Sequence, residues 1–125
     1  MLSEFIEKPA RKKRKKRAAP PSSPLICVQQ IAKGSHTLRF SDSLRPDSAA
    51  KAKGARALQV FAVVCDQFNA GVDEARYRAE FTRNPAVVRL EESEDGRIAT
   101  YYARWISSRG ETGPWSAPVS MRIIA

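Results

Sequence analysis

The sequence is short of the residues that most often carry chemistry. It has two cysteines and one histidine. That excludes a disulfide scaffold and leaves too few soft ligands for a four-coordinate structural zinc site. No apolar run approaches the roughly 20 residues that cross a bilayer as a helix. No Gly-rich loop leads into a helix where a phosphate would be cradled. No serine or cysteine sits in a nucleophile motif such as the Gly-x-Ser-x-Gly elbow, and the spacing nominates no carboxylate pair for glycoside chemistry. What is present is a chain of 125 residues, 42% of them hydrophobic. That content suffices for one domain with a core and rules out disorder over the whole length.

The charge is unevenly spread. Of a net +9, residues 1–24 hold eight cations against two carboxylates, +6, which leaves +3 for residues 25–125. The cations are Lys8, Arg11, Lys12, Lys13, Arg14, Lys15, Lys16 and Arg17, the last seven consecutive. They repel one another and have nothing to bury. Ala18 to Pro24 follows with three prolines, which lack backbone donors and favour extended geometry. The expectation is a disordered basic tail over 1–24, apart from an amphipathic patch at Leu2, Phe5 and Ile6. The cations follow the apolar residues and no apolar stretch of 7–15 residues comes after them, so the pattern is not that of a secretory signal. Three roles fit the tail: a solvated arm, an address of the nuclear-localisation type, or a polyanion contact at residues 8–17 with nucleic acid or anionic lipid. No aromatic is interleaved with the cations, so base stacking by the tail is not indicated.

From Pro24 onward the apolar pattern changes to period two. It predicts short strands at Leu25 to Val28, His36 to Phe40, Ala57 to Cys65, Arg76 to Phe81, Ala86 to Leu90, Ile98 to Ser107 and Trp115 to Ile124. Residues 41–55 read as a loop with one helical turn at 48–53. In the fourth segment Tyr77, Ala79 and Phe81 fall on one side, which favours strand over helix. Asn84-Pro85 is a break, residues 91–96 an acidic turn and residues 109–114 a Gly-rich one. Seven strands without an amphipathic helix between them predict an all-β, seven-stranded antiparallel β-sandwich over 25–125.

The last third adds a specific resemblance. Residues 101–110 place Tyr101, Ala103 and Trp105 on one face and Tyr102, Arg104 and Ile106 on the other, with a turn at Gly110. Gly113, Pro114, Trp115 and Ser116 then lead into the final strand. This resembles the penultimate strand and following turn of a fibronectin type III domain. His36 to Phe40 and the run from Tyr102 to Ser116 look more narrowly like the C-terminal domain of certain uncharacterised bacterial proteins. The resemblance implies a fibronectin type III or immunoglobulin-like fold and no activity. It also implies that Tyr101 points inward with its hydroxyl on a backbone group. The chain departs from the pattern at the front, where a basic tail stands in place of a helical region, and on the second strand, where Phe40 takes the place of a tryptophan.

The remaining chemistry-bearing residues read structurally. His36, beside a turn, is expected to be exposed or half-buried. Cys27 and Cys65 are expected to be buried reduced thiols on strands of opposite sheets, with a bridge across the core left open. Residues 91–95 lack calcium-loop spacing. Arg39, Tyr102, Arg104, Arg109 and Trp115 can alternate cation and ring on one sheet face, either as a brace or as a partner-binding patch. Edge strands offer a second route to a partner, by strand addition. The sequence therefore predicts a non-enzymatic interaction or structural module with no cofactor and an unidentified protein partner. The alternative is a polyanion-binding protein acting through the tail. With no export signal and two unspaced cysteines, the cytoplasm is the expected compartment.

Overall fold

The computed structural model describes residues 20–125; the basic segment 8–17 and the patch at Leu2, Phe5 and Ile6 lie outside the described residues. Seven strands follow in order: β1 (Pro24–Gln29), β2 (Ser35–Asp42), β3 (Ala55–Cys65), β4 (Arg76–Phe81), β5 (Ala86–Arg89), β6 (Ile98–Ser107) and β7 (Val119–Arg122). They form a three-stranded sheet, β1-β2-β5, and a four-stranded sheet, β4-β3-β6-β7. Every pairing is antiparallel. The chain is a seven-stranded antiparallel β-sandwich.

Alternation builds the core. Leu38 and Phe40 of β2 face Leu58, Val60 and Ala62 of β3 and Tyr101, Ala103 and Trp105 of β6, and all are buried. Trp105 has no exposed surface. Phe40 meets its ring edge-on at a centroid distance of 5.9 Å. Truncating Trp105 to alanine would cost about 3–5 kcal/mol, a large part of the stability of a domain this size.

Several local expectations need correction. Residues 48–53 form no helical turn. The loop folds instead as β-turns, with Ser48 N–H on the Arg45 carbonyl (3.0 Å) and Ala55 N–H on the Ala52 carbonyl (3.0 Å). The last strand is shorter than predicted, because Pro114 and Pro118 have no N–H to give a ladder. Ahead of β7 the chain is held to β6 at Gly113, whose N–H donates to the Trp105 carbonyl at 3.0 Å, and at Ser116, whose N–H donates to the Ala103 carbonyl at 2.7 Å and whose hydroxyl accepts from Ala103 N–H at 3.0 Å. Tyr77 does not share a face with Ala79 and Phe81. A register shift opposite Val60 and Phe61 leaves Arg78 unpaired. One extra residue reverses every side chain beyond it, so Tyr77 lies outside, opposite Phe61.

The two cysteines sit on opposite sheets, as expected, with free thiols, but they are not buried. Cys27 is exposed and Cys65 half-buried, because both occupy the outward phase of their strands. Gly113 is required by a close approach. A Cβ there would stand 2.7 Å from the Pro20 carbonyl oxygen, so the turn after β6 and the segment leading into β1 are fitted backbone to backbone. No helix among the described residues is long and apolar enough to cross a membrane.

Candidate partner-binding face

The outer face of the four-stranded sheet is built by the residues that alternation turns away from the core. Tyr102 and Arg104 come from β6, Gln59 and Phe61 from β3, and Glu80 and Tyr77 from β4. Register sets Phe61 beside both Tyr102 and Tyr77, and Gln59 beside both Arg104 and Glu80. Trp115 folds over the sheet from the proline-bounded link that follows β6.

Trp115 organises the layer. Its ring centroid is 5.1 Å from Phe61 and 6.2 Å from Tyr102, both edge-on, and the Arg104 guanidinium stands 4.3 Å above it. The same guanidinium is 5.1 Å from the Phe61 ring. Such cation–ring contacts contribute about 0.5–2 kcal/mol each, and edge-on aromatic pairs about 0.5–1.5. Arg104 Nε donates to Gln59 Oε1 at 2.8 Å, Gln59 Nε2 donates to Glu80 at 3.4 Å, and Glu80 pairs with Arg56 at 3.0 Å. Tyr102 is buried, and its hydroxyl donates to the Ala70 carbonyl at 2.6 Å. The face is thus satisfied internally along most of its length. Tyr77, 54% exposed and 5.6 Å edge-on from Phe61, is its open end.

Of the five residues nominated for this face, the structure brings three together: Tyr102, Arg104 and Trp115. Arg39 is on the other sheet, opposite Cys27 on β2, with Nε 3.4 Å from Gln29. Arg109 is exposed in the turn after β6, where its backbone N–H donates to the Ser107 hydroxyl at 3.3 Å. Sequence reasoning missed Phe61, Gln59 and Tyr77. Phe61 and Gln59 were legible, since both fall out of phase with Leu58, Val60 and Ala62. Tyr77 was hidden by the bulge.

A second polar cluster lies inside. His36 is fully buried, against expectation, because it takes the core phase of β2 at the end where the two sheets close. One ring nitrogen, Nδ1, is 2.7 Å from the Tyr101 hydroxyl and the other, Nε2, 3.1 Å from the Arg122 carbonyl. A neutral ring satisfies both partners: Nε2–H donates to the carbonyl and Nδ1 accepts from the tyrosine. The Tyr101 hydroxyl therefore goes to a side chain, and it is Tyr102 that bonds to backbone. Burial holds the His36 pKa below its ordinary value, partly offset by the Arg122 carbonyl. Burial pushes the Tyr101 phenol upward, with Arg78 lowering it and Glu94 raising it. Arg78, the bulge residue, pairs with Glu94 at 2.7 Å. Burial raises the Glu94 pKa, but its bond from the Glu91 N–H and the Arg78 guanidinium prevail and leave it lowered.

Two hollows mark the surface. A groove of about 1050 Å³ is lined by Arg76, Arg78, Glu94 and Arg97 among others. Its Arg78 is bound to Glu94, and its Arg97 stands 3.5 Å from Asp66. A smaller hollow of about 360 Å³ lies over β1 and β2, between Leu25, Cys27 and Arg39 and the loop at Pro46 to Ala49. No group of three or more His, Cys, Asp or Glu side chains among the described residues is placed to hold a metal ion.

No protein-family model matches the chain, and no curated protein matches it in sequence. Solved structures do. One titled as a myokine structure superposes with a TM-score of 0.57 at 14% identity, over 85% of this chain and 100% of that one. Another is the pectate lyase PelI from Erwinia chrysanthemi in complex with tetragalacturonic acid, with a TM-score of 0.54 at 13% identity. There the match covers 80% of this chain and 28% of the lyase, so the likeness is to a part of that enzyme. At these identities the shared property is the fold.

Proposed function

We propose that this chain is a non-enzymatic protein-interaction or structural module of the fibronectin type III-like class. The observation that carries the reading is the outer face of the four-stranded sheet. Its Arg104–Trp115 stack is braced by Phe61, Tyr102 and Gln59, while Tyr77 and Arg56 are left exposed at its rim. Rigid aromatic and arginine side chains presented at small entropic cost are what protein interfaces use as anchors. The commitment of the titratable groups supports a role without bond chemistry. His36 is held by Tyr101 and Arg122, and Arg78 by Glu94, so the one histidine is not free to act as a base. The variant Tyr77→Ala/Arg56→Glu tests the reading. It should melt within a few degrees of the parent and lose the protein partner that the parent retains from cell extract. Retention unchanged by the double substitution refutes the role given to this face.

A second reading rests on the +6 carried by residues 1–24. In it, Lys8 and Arg11 to Arg17 tether the sandwich to nucleic acid or to an anionic membrane surface. Affinity for a generic duplex or for anionic vesicles would then fall steeply with salt. That salt dependence should vanish on deletion of residues 1–24. Binding that survives the deletion eliminates it.

A further inference from the structure

Four strands end the two sheets, and three of them are guarded against pairing with another chain. β4 carries Arg76, Arg78 and Glu80 and is interrupted by the bulge. β5 has four residues and starts directly behind Pro85, and β7 has four residues and starts behind Pro118. Short strands, charges, prolines and bulges are the usual devices that blunt an edge. β1 carries one of them, Pro24 at its first residue, and none from Leu25 to Gln29. It is six residues long and lies in an uncharged stretch from Ala18 to Ala32. Along its outer face Leu25, Cys27, Gln29 and, past its end, Ile31 are exposed at spacing two, Leu25 at 46% and Ile31 at 68%. β7 runs close by in the facing sheet, but no backbone hydrogen bond joins it to β1 among the described residues.

The backbone of that edge is also poised. Ser43 N–H donates to the Ser23 carbonyl at 3.1 Å, in the register that continues Pro24 opposite Asp42. In an antiparallel pair the bonded residues alternate. Leu25, Cys27 and Gln29 therefore spend their backbone groups on β2, and the N–H and C=O of Ile26 and Val28 point to the free side.

We propose that β1 is a self-association edge: it pairs antiparallel with β1 of a second copy of this chain and joins the two three-stranded sheets into one of six strands. A twofold axis at Cys27 sets Ile26 opposite Val28 of the other copy and Val28 opposite its Ile26. Each free N–H then meets a free C=O. The strand is complementary to itself about Cys27, which makes a second copy the occupant: the uncharged stretch from Ala18 to Ala32 meets its own equivalent. The pairing brings two neutral strands together and desolvates no ion. Among the described residues, Arg39 on each β2 stays about three strand spacings from its counterpart, roughly 14 Å, beyond the screening length of about 10 Å at 0.1 M salt. The same register makes Cys27 a non-bonded pair with itself, with Cα atoms about 4.5 Å apart, inside the range a disulfide can span. The surface is separate from the Tyr77 face, so either proposal can fail without the other.

Sedimentation velocity of the full chain under reducing conditions tests this directly. The dimer fraction should rise with protein concentration. Cys27→Lys, which sets like charges opposite each other, should weaken association roughly fivefold, while Cys27→Ser should leave it intact and both variants should melt with the parent. Diamide, as the oxidant that takes up the two thiol hydrogens, should convert the parent and Cys65→Ser into a covalent dimer and leave Cys27→Ser unlinked. A chain that stays monomeric at every concentration, including one whose β1 is paired by a different protein, overturns the proposal. So does a dimer indifferent to Cys27→Lys, or a cross-link that requires Cys65.

Discussion

Trp115→Ala is the perturbation that reads the outer face most clearly. The ring loses two edge-on partners, Phe61 at 5.1 Å and Tyr102 at 6.2 Å, together with the Arg104 guanidinium at 4.3 Å. The two aromatic pairs contribute about 1–3 kcal/mol between them and the cation–ring contact about 0.5–2. Arg104 keeps its bond to Gln59 and gains water, which returns part of that. The expected net loss is about 2–3 kcal/mol. For a domain of about a hundred residues this lowers the melting temperature by roughly 8–20 °C. Urea unfolding followed by tryptophan fluorescence measures it, since buried Trp105 remains as reporter. The midpoint should fall while the slope stays that of the parent. Combining Trp115→Ala with Arg104→Ala in a double-mutant cycle isolates the stack, with an expected coupling of about 0.5–2 kcal/mol. A loss below about 0.5 kcal/mol for Trp115→Ala would refute the bracing role and return Trp115 to the candidate anchors.

The buried polar cluster gives a pH dependence of definite sign. His36 has a lowered pKa in the fold, so the unfolded chain takes up the proton first as pH drops below the ordinary value of 6.5; stability is full above that pH and declines beneath it, by up to about 1.4 kcal/mol per pH unit. Glu94, also lowered, adds to the loss as pH falls below 4.5; a urea midpoint that rises between about pH 7 and about pH 5.5 would contradict the assignment. Tyr101→Phe leaves the His36 Nδ1 acceptor buried without its donor and should cost about 1–3 kcal/mol in the same urea assay. Gly113→Ala places a methyl 2.7 Å from the Pro20 carbonyl oxygen and should destabilise by about 1–3 kcal/mol; a melting temperature equal to the parent's would mean that the Pro20 segment yields freely.

Much of this was readable from residue order. The span of β6 and the inward set Tyr101, Ala103 and Trp105 follow from the period-two reading of residues 98–107; that the other face is also buried, as Tyr102 and Ile106 are, does not follow from it. Residues 76–81 form a strand, but the alternation that predicts it breaks at Arg78, where the bulge turns Tyr77 away from Ala79 and Phe81. Alternation fails where the backbone breaks step. The irregularity that frees Arg78 leaves no mark in the sequence, so Tyr77 was placed on the wrong face and the open end of the aromatic layer was missed. Tertiary facts were equally out of reach. The burial of His36 depends on Tyr101 and on the Arg122 carbonyl, 65 and 86 residues away in sequence. The outward phase of Cys27 depends on which side of a short apolar run meets the facing sheet, which periodicity over four residues does not decide. The five-residue basic and aromatic set reads as one face by alternating cation and ring, but topology puts Arg39 on the other sheet and Arg109 in the turn after β6.

Which rings lie between the sheets and which lie outside them decides both the core and the outer face. Proton–proton Overhauser contacts among the aromatic rings measure this at once. The structure predicts contacts from the Tyr101 ring to the His36 ring and from the Tyr77 ring to Phe61, with centroids at 5.7 and 5.6 Å. Contacts from the Tyr77 ring to Leu38 or Trp105, or a Tyr101 hydroxyl proton in fast exchange with solvent, would contradict it.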